Sequence, residues 1–140
     1  MSNEDIVAAF WDDLYRRDFD AVARYFGPES EYTDVPTPAD DVARGPDQIV
    51  RRLRIGLDPL ERIHHDVLTV VAGGDHVVTE HVEHWHWPTG EHAALPFVSV
   101  QHLRGGVIVR WWDYWDLGTL MGAAPQWWID HIMAQAAEGP

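Results

Sequence analysis

The stretch that decides the fold runs from Arg62 to Asp116, RIHHDVLTVVAGGDHVVTEHVEHWHWPTGEHAALPFVSVQHLRGGVIVRWWDYWD. Gly73-Gly74-Asp75, Pro88-Thr89-Gly90 and Arg104-Gly105-Gly106 divide it into runs rich in β-branched and aromatic residues, which read as four strands joined by tight turns. A parallel pair needs a crossover of roughly a dozen residues, so connections this short predict an antiparallel meander.

Upstream, Ile6, Val7, Phe10, Trp11 and Leu14 recur at three- and four-residue spacing, which predicts an amphipathic helix over Asn3 to Tyr15. Phe19, Val22, Tyr25 and Phe26 predict a second helix, ended by Gly27-Pro28. Glu31 to Val35 is short and extended, and Pro36 and Pro38 keep the next residues out of helical space. Gly45-Pro46 opens a third helix with Ile49, Val50 and Leu53 as its buried stripe and Gly56 at its end. Gln126 to Ala137 reads as a closing helix. Helices first and an antiparallel sheet afterwards predict one α+β domain over residues 1–140, with the N-terminal helices packed on one face of a curved sheet.

The chain has 140 residues, no cysteine, and 10 basic against 23 acidic side chains, a net charge of −13. The acidic excess repels phosphate backbones, and no basic stripe exists to support nucleic-acid or anionic-membrane binding. No apolar run approaches the ~20 residues of a membrane span, and the start, Met-Ser-Asn-Glu-Asp, has neither the basic nor the apolar region of a secretory signal. Together with the missing cysteine, this predicts a cytoplasmic protein. Eight tryptophans and nine histidines remain to be placed.

Strand parity assigns the faces. In the last strand, Val107, Val109, Trp111, Asp113 and Trp115 share one face, an apolar row interrupted by a carboxylate. An ionised aspartate among tryptophans costs several kcal/mol unless it is paired, so its pKa is expected to rise above about 3.9. The second strand puts Val77, Thr79, His81, Glu83, Trp85 and Trp87 on one face and Glu80, His84 and His86 on the other. If both odd rows face the helices, His81, Glu83 and Asp113 converge in an aromatic-walled cavity, with Leu95, Phe97, Ser99, Gln101 and Leu103 completing its wall. Two carboxyl groups and an imidazole in an apolar pocket suit general acid–base chemistry, because the shared site drives their pKa values apart. The histidines at 64, 65, 81, 84, 86 and 92 also invite a metal reading, but parity sends His84 and His86 away from the cavity, and no metal or other cofactor is expected.

Three motifs carry a resemblance over nearly the whole chain. Tyr32-x-Asp34-x-Pro36-x-Pro38, His81-x-Glu83 and Trp111-Trp112-Asp113-Tyr114-Trp115-Asp116 resemble segments of the limonene epoxide hydrolases, within the SnoaL-like and nuclear-transport-factor-2-like superfamily. The resemblance implies that superfamily's cone-shaped sheet, homodimerisation through the outer sheet face, and a small hydrophobic substrate. By that likeness Asp113 activates water with the help of Tyr32 and Asp34, while Glu83 is the general acid. Trp85, Phe97, Trp111 and Trp115 would hold the hydrocarbon, with Gln101 as a polar contact. Two positions depart from the family: His81 replaces an arginine and Asp34 an asparagine. If His81 keeps the arginine's role as a cationic bridge between Glu83 and Asp113, it must stay protonated, with a pKa above about 6.5. The leading expectation is an epoxide hydrolase. A cyclase, dehydratase or isomerase using Asp113 and His81 is the alternative, and a non-catalytic small-ligand binder a further one.

Overall fold

The computed structural model describes residues 1–138. Along the chain it forms α1 (Asn3–Tyr15), α2 (Phe19–Ala23), β1 (Glu31–Asp34), β2 (Ala43–Arg44), α3 (Gly45–Leu57), β3 (Arg62–Gly73), β4 (His76–His86), β5 (His92–Arg104), β6 (Val107–Tyr114), α4 (Leu117–Ala123) and α5 (Gln126–Ala136). The α+β class and the closing helix follow the sequence reading. Strands β3 to β6 form the expected antiparallel meander.

The meander is part of a larger sheet of six strands in the order β2-β1-β6-β5-β4-β3. The segment read only as extended, β1, lies parallel to β6, with Asp34 level with Asp113. The long connection through α3 and the meander supplies the crossover that a parallel pair needs. Pairing is irregular between Val67 and Thr69 in β3 and between His102 and Leu103 in β5, and such bulges bend a sheet. Gly105 and Gly106 both have positive φ, 58° and 80°, as the tight β5–β6 hairpin demands.

The second helix is shorter than its apolar spacing predicts. It stops at Ala23, and Arg24, Tyr25 and Phe26 continue in tighter three-residue turns, each N–H bonding to the carbonyl three residues back. Helix α4 has no sequence counterpart above. It is seven residues long, and its start is set by Asp116, whose carboxylate accepts the Thr119 N–H at 2.9 Å.

Helix α1 turns Val7, Phe10, Trp11 and Leu14 into the core. Phe10 meets Trp111 edge-on, with ring centroids 5.1 Å apart, which seats α1 against the sheet. Trp87 and Trp128 join α5 to the end of β4, also edge-to-face at 5.6 Å. In β4 the odd residues Val77, Thr79, His81, Glu83 and Trp85 are buried, and the even ones are not. His84 and His86 lie on the opposite face, as parity predicts, and stack there with His64 and His92.

Candidate active site

Asp113 stands near the end of β6, with Asp34 of β1 level on one side and Ser99 of β5 on the other. The residue is 4% exposed. Ser99 Oγ donates to Asp113 Oδ1 at 2.6 Å, and Trp111 Nε1 donates to the same oxygen at 2.6 Å. The two-residue period of a strand explains the second contact, since Trp111 and Asp113 share a face. Period and pairing also place Tyr32. It stacks on Trp111 at 4.0 Å, and its hydroxyl lies 2.8 Å from Asp34 Oδ1 and 3.2 Å from Asp113 Oδ2. Trp115 Nε1 donates to Asp34 Oδ1 at 3.1 Å.

One hydroxyl proton cannot serve two carboxylates. The arrangement is satisfied when Asp34 and Asp113 hold one proton between them, with Tyr32 donating to one and accepting from the other. The electrostatics agree. Burial pushes Asp113 well above the ordinary carboxylate range, the charge of Asp34 pushes it further, and the bonds from Ser99 and Trp111 only partly offset this. Burial also raises Asp34, against the bonds from Tyr32 and Trp115 and the charge of Arg52.

Glu83 is held separately. Tyr15 Oη donates to its Oε2 at 2.5 Å and Trp85 Nε1 to its Oε1 at 3.1 Å. Burial pushes its pKa up to about 7, although both donors favour the charged form. Near neutral pH it can therefore give a proton.

His81 does not bridge the carboxyl groups. Its Nε2 lies 2.9 Å from Ser99 Oγ, so it reaches Asp113 only through that hydroxyl, and its Nδ1 lies 3.0 Å from His65 Nδ1. The expectation of a raised pKa is overturned as well. Burial between Trp11 and Phe97, reinforced by His65, pushes His81 down to about 3. A neutral imidazole occupies the position where a permanent cation was expected, because no carboxylate bonds to it directly.

The expected substrate wall divides in use. Trp111 is packed, with Phe26 and Tyr32 stacked on it, and its indole N–H is committed to Asp113. Phe97 and Trp115 stack on each other at 5.8 Å near His81 and Asp34. Trp85 turns its N–H to Glu83 and meets Trp128 edge-on. Gln101 is buried, and neither of its amide atoms has a hydrogen-bond partner among the described residues.

Tyr15 is the functional candidate that sequence reasoning passed over. It ends the apolar stripe of α1, and its four-residue offset from Trp11 was the available signal. A groove of about 570 Å³ also runs among α2, α3 and α5, lined by Phe19, Arg54 and His131 and by none of the site residues above. Among the described residues, no group of three or more imidazole and carboxylate side chains is arranged to hold a metal ion. Among the described residues, no helix is long and apolar enough to cross a membrane.

A buried aspartate pair and a separately held glutamate on one face of a bent, mostly antiparallel sheet describe an α+β protein with a buried polar cluster. Residues 7–111 match the SnoaL-like domain, and the chain belongs to that family. No curated protein matches it. Among solved structures it is similar to a protein of ketosteroid isomerase-like fold from Catenulispora acidiphila, in complex with trimethylamine: 23% identity, 87% of this chain and 93% of that one, TM-score 0.76. It is also similar to an epoxide hydrolase of Mycobacterium tuberculosis related to the limonene enzymes: 21% identity, 96% and 94%, TM-score 0.70. A third, from Shewanella putrefaciens and named provisionally as a SnoaL-like polyketide cyclase, shares 16% identity over 88% and 96%, with a TM-score of 0.77. At these identities the likeness shows the fold.

Proposed function

We propose that this protein is a cofactor-free acid–base enzyme acting on a small hydrophobic molecule, and that its reaction is the addition of water to an epoxide. The observation that carries the proposal is the Tyr32 hydroxyl set between Asp34 and Asp113, which makes the two aspartates a single proton-accepting unit, with Glu83 near neutral pKa in the same interior. Base and acid are thus separate groups whose environments tune them apart.

In the proposed reaction a water held by the aspartate pair attacks an oxirane carbon and gives its proton to the pair. The carbon–oxygen bond breaks, and Glu83 donates its proton to the departing oxygen, giving a diol. Phe97, Trp115 and Trp85 offer aromatic surface to the hydrocarbon and exclude bulk water. The neutral His81 and the third carboxylate favour one second reading, a cyclase, dehydratase or isomerase in which the same pair moves a proton to or from carbon.

Turnover of small terpenoid and aryl epoxides in ¹⁸O-labelled water tests the proposal. One labelled oxygen per diol is the expected result. Conversion of a polyketide-like or enolisable substrate with solvent deuterium on carbon and no labelled oxygen would transfer the site to the second reading. Ligand binding without conversion of either class would leave a carrier.

A further inference from the structure

A second hydrogen-bonded arm leaves Asp113, pointing away from Tyr32 and Asp34. It runs through Ser99 Oγ at 2.6 Å to His81 Nε2 at 2.9 Å, and from His81 Nδ1 to His65 Nδ1 at 3.0 Å. Each link has a defined polarity. An ionised Asp113 Oδ1 can only accept, from Trp111 Nε1–H and from Ser99, so the single Ser99 proton points to that oxygen. Ser99 must then accept from His81 Nε2–H. The Nδ1 of neutral His81 is left a lone pair, which accepts Nδ1–H from His65. The bare Nε2 of His65 is the outer end of the chain.

That outer end is not sealed. His65 is half-buried and lines a cavity of about 240 Å³ between α1 and β3, together with Trp11, Asp12, Val67 and Thr79. The Thr79 hydroxyl is buried and finds no partner among the described residues, and Thr79 lies level with Ser99 on the adjacent strand. At about 30 Å³ per water, the cavity has room for several.

We infer that Ser99, His81 and His65 form a proton relay that connects Asp113 to solvent in the α1–β3 cavity. A proton taken up at His65 Nε2 moves three others inward: His65 Nδ1–H to His81 Nδ1, His81 Nε2–H to Ser99 Oγ, and the Ser99 hydroxyl proton to Asp113 Oδ1. Asp113 ends protonated, both imidazoles end neutral in the opposite tautomers, and the reverse sequence returns one proton to water. No imidazolium has to persist in the interior. Burial makes one unfavourable at either ring, pushing His65 down to about 4 and His81 to about 3. The groups facing the relay are Tyr15 and Trp11 from α1, with Asp12, Asp66 and His64 acting on His65 from farther off. Asp34, Glu83 and Tyr32 act on Asp113. Because the relay serves the acid–base role proposed for Asp113, it rests on that reading: it resets the base while Glu83 regains its proton from water entering as product leaves.

Nitrogen-15 NMR of the two imidazoles, followed with the Asp113 carboxyl carbon from pH 5 upward until that carboxyl has ionised, tests the relay without any substrate. His65 and His81 are expected to stay neutral in complementary tautomers and to exchange them over the pH interval in which Asp113 titrates. Ser99→Ala should uncouple them from Asp113. Fixed tautomers while Asp113 titrates, or an imidazolium at pH 7, would overturn the relay whatever reaction the enzyme performs. In turnover, His65→Ala is expected to lower kcat roughly 10²-fold with little change in KM, and added imidazole to restore part of the rate from the enlarged cavity. A folded His65→Ala protein with unchanged kcat would overturn the relay and leave the hydrolase reading standing. A parent protein that shows coupled tautomers but no turnover of epoxides would do the reverse.

Discussion

Asp113 takes its hydrogen-bond partners from three strands. Trp111 precedes it on β6, Ser99 faces it from β5, and Tyr32 reaches it from β1. Asp113→Asn keeps the shape and removes a charge that burial and Asp34 already oppose, so turnover should fall about 10²–10⁴-fold while the unfolding free energy is unchanged or higher. Rates and urea denaturation on the same preparation check both halves, and near-full activity would move the base elsewhere. His81→Arg has a different outcome from the one a bridging role implies. A permanent cation among Trp11, Phe97 and His65, without a bonded carboxylate, is expected to cost several kcal/mol and to sever the arm through Ser99. Thermal unfolding and initial rates read this substitution, and a stable, fully active His81→Arg protein would restore the cationic bridge.

Helix α1 does more than cover the sheet. Its inner stripe carries Trp11 against His81 and ends in Tyr15, whose ring lies 4.1 Å from that of His65 while its hydroxyl holds Glu83. One helix therefore positions the proposed acid and packs on the proposed relay. The Tyr15 bond favours ionised Glu83, so Tyr15→Phe should raise the Glu83 pKa above about 7. If Glu83 is the general acid, activity falls as pH rises through that pKa, and the alkaline limb of the kcat profile should shift to higher pH in this variant. An unmoved limb would assign it to another group.

For the molecule as a whole, the buried ionisable groups bias stability in opposite directions with pH. Glu83 titrates near 7 when folded and near 4.5 when unfolded. Between those values the native state binds the extra proton, so its contribution is fully present below about pH 4.5 and is lost as pH rises to about 7. His65 and His81 titrate near 4 and 3 when folded against 6.5 when unfolded, so their contribution is present above 6.5 and is lost as pH falls. Glu83→Gln removes only the first effect. Relative to the parent it should gain stability progressively from pH 4.5 to 7, by up to about 3 kcal/mol, with no change in the difference below pH 4. Denaturant titrations at four or five pH values suffice, and a flat difference would mean that Glu83 is not protonated in the native state.

By itself the sequence determined what depends on short-range periodicity. Turn glycines with intervening β-branched runs specified the meander, three- and four-residue spacing specified α1, and strand parity grouped Thr79, His81 and Glu83 on one face of β4 and Asp113 with Trp111 and Trp115 on one face of the last strand, because these patterns follow from local backbone geometry. The motif at Tyr32 and Asp34 marked those residues as part of the same site without showing how they reach it. Tertiary structure alone decided the parallel pairing of β1 with β6, which depends on a contact between segments some eighty residues apart and sets Asp34 level with Asp113. It also decided the state of His81. A histidine two residues from a glutamate reads as a cation, but charge depends on solvation and on which atom each ring nitrogen meets. Burial by Trp11 and Phe97, and bonding to Ser99 and His65, make this one neutral.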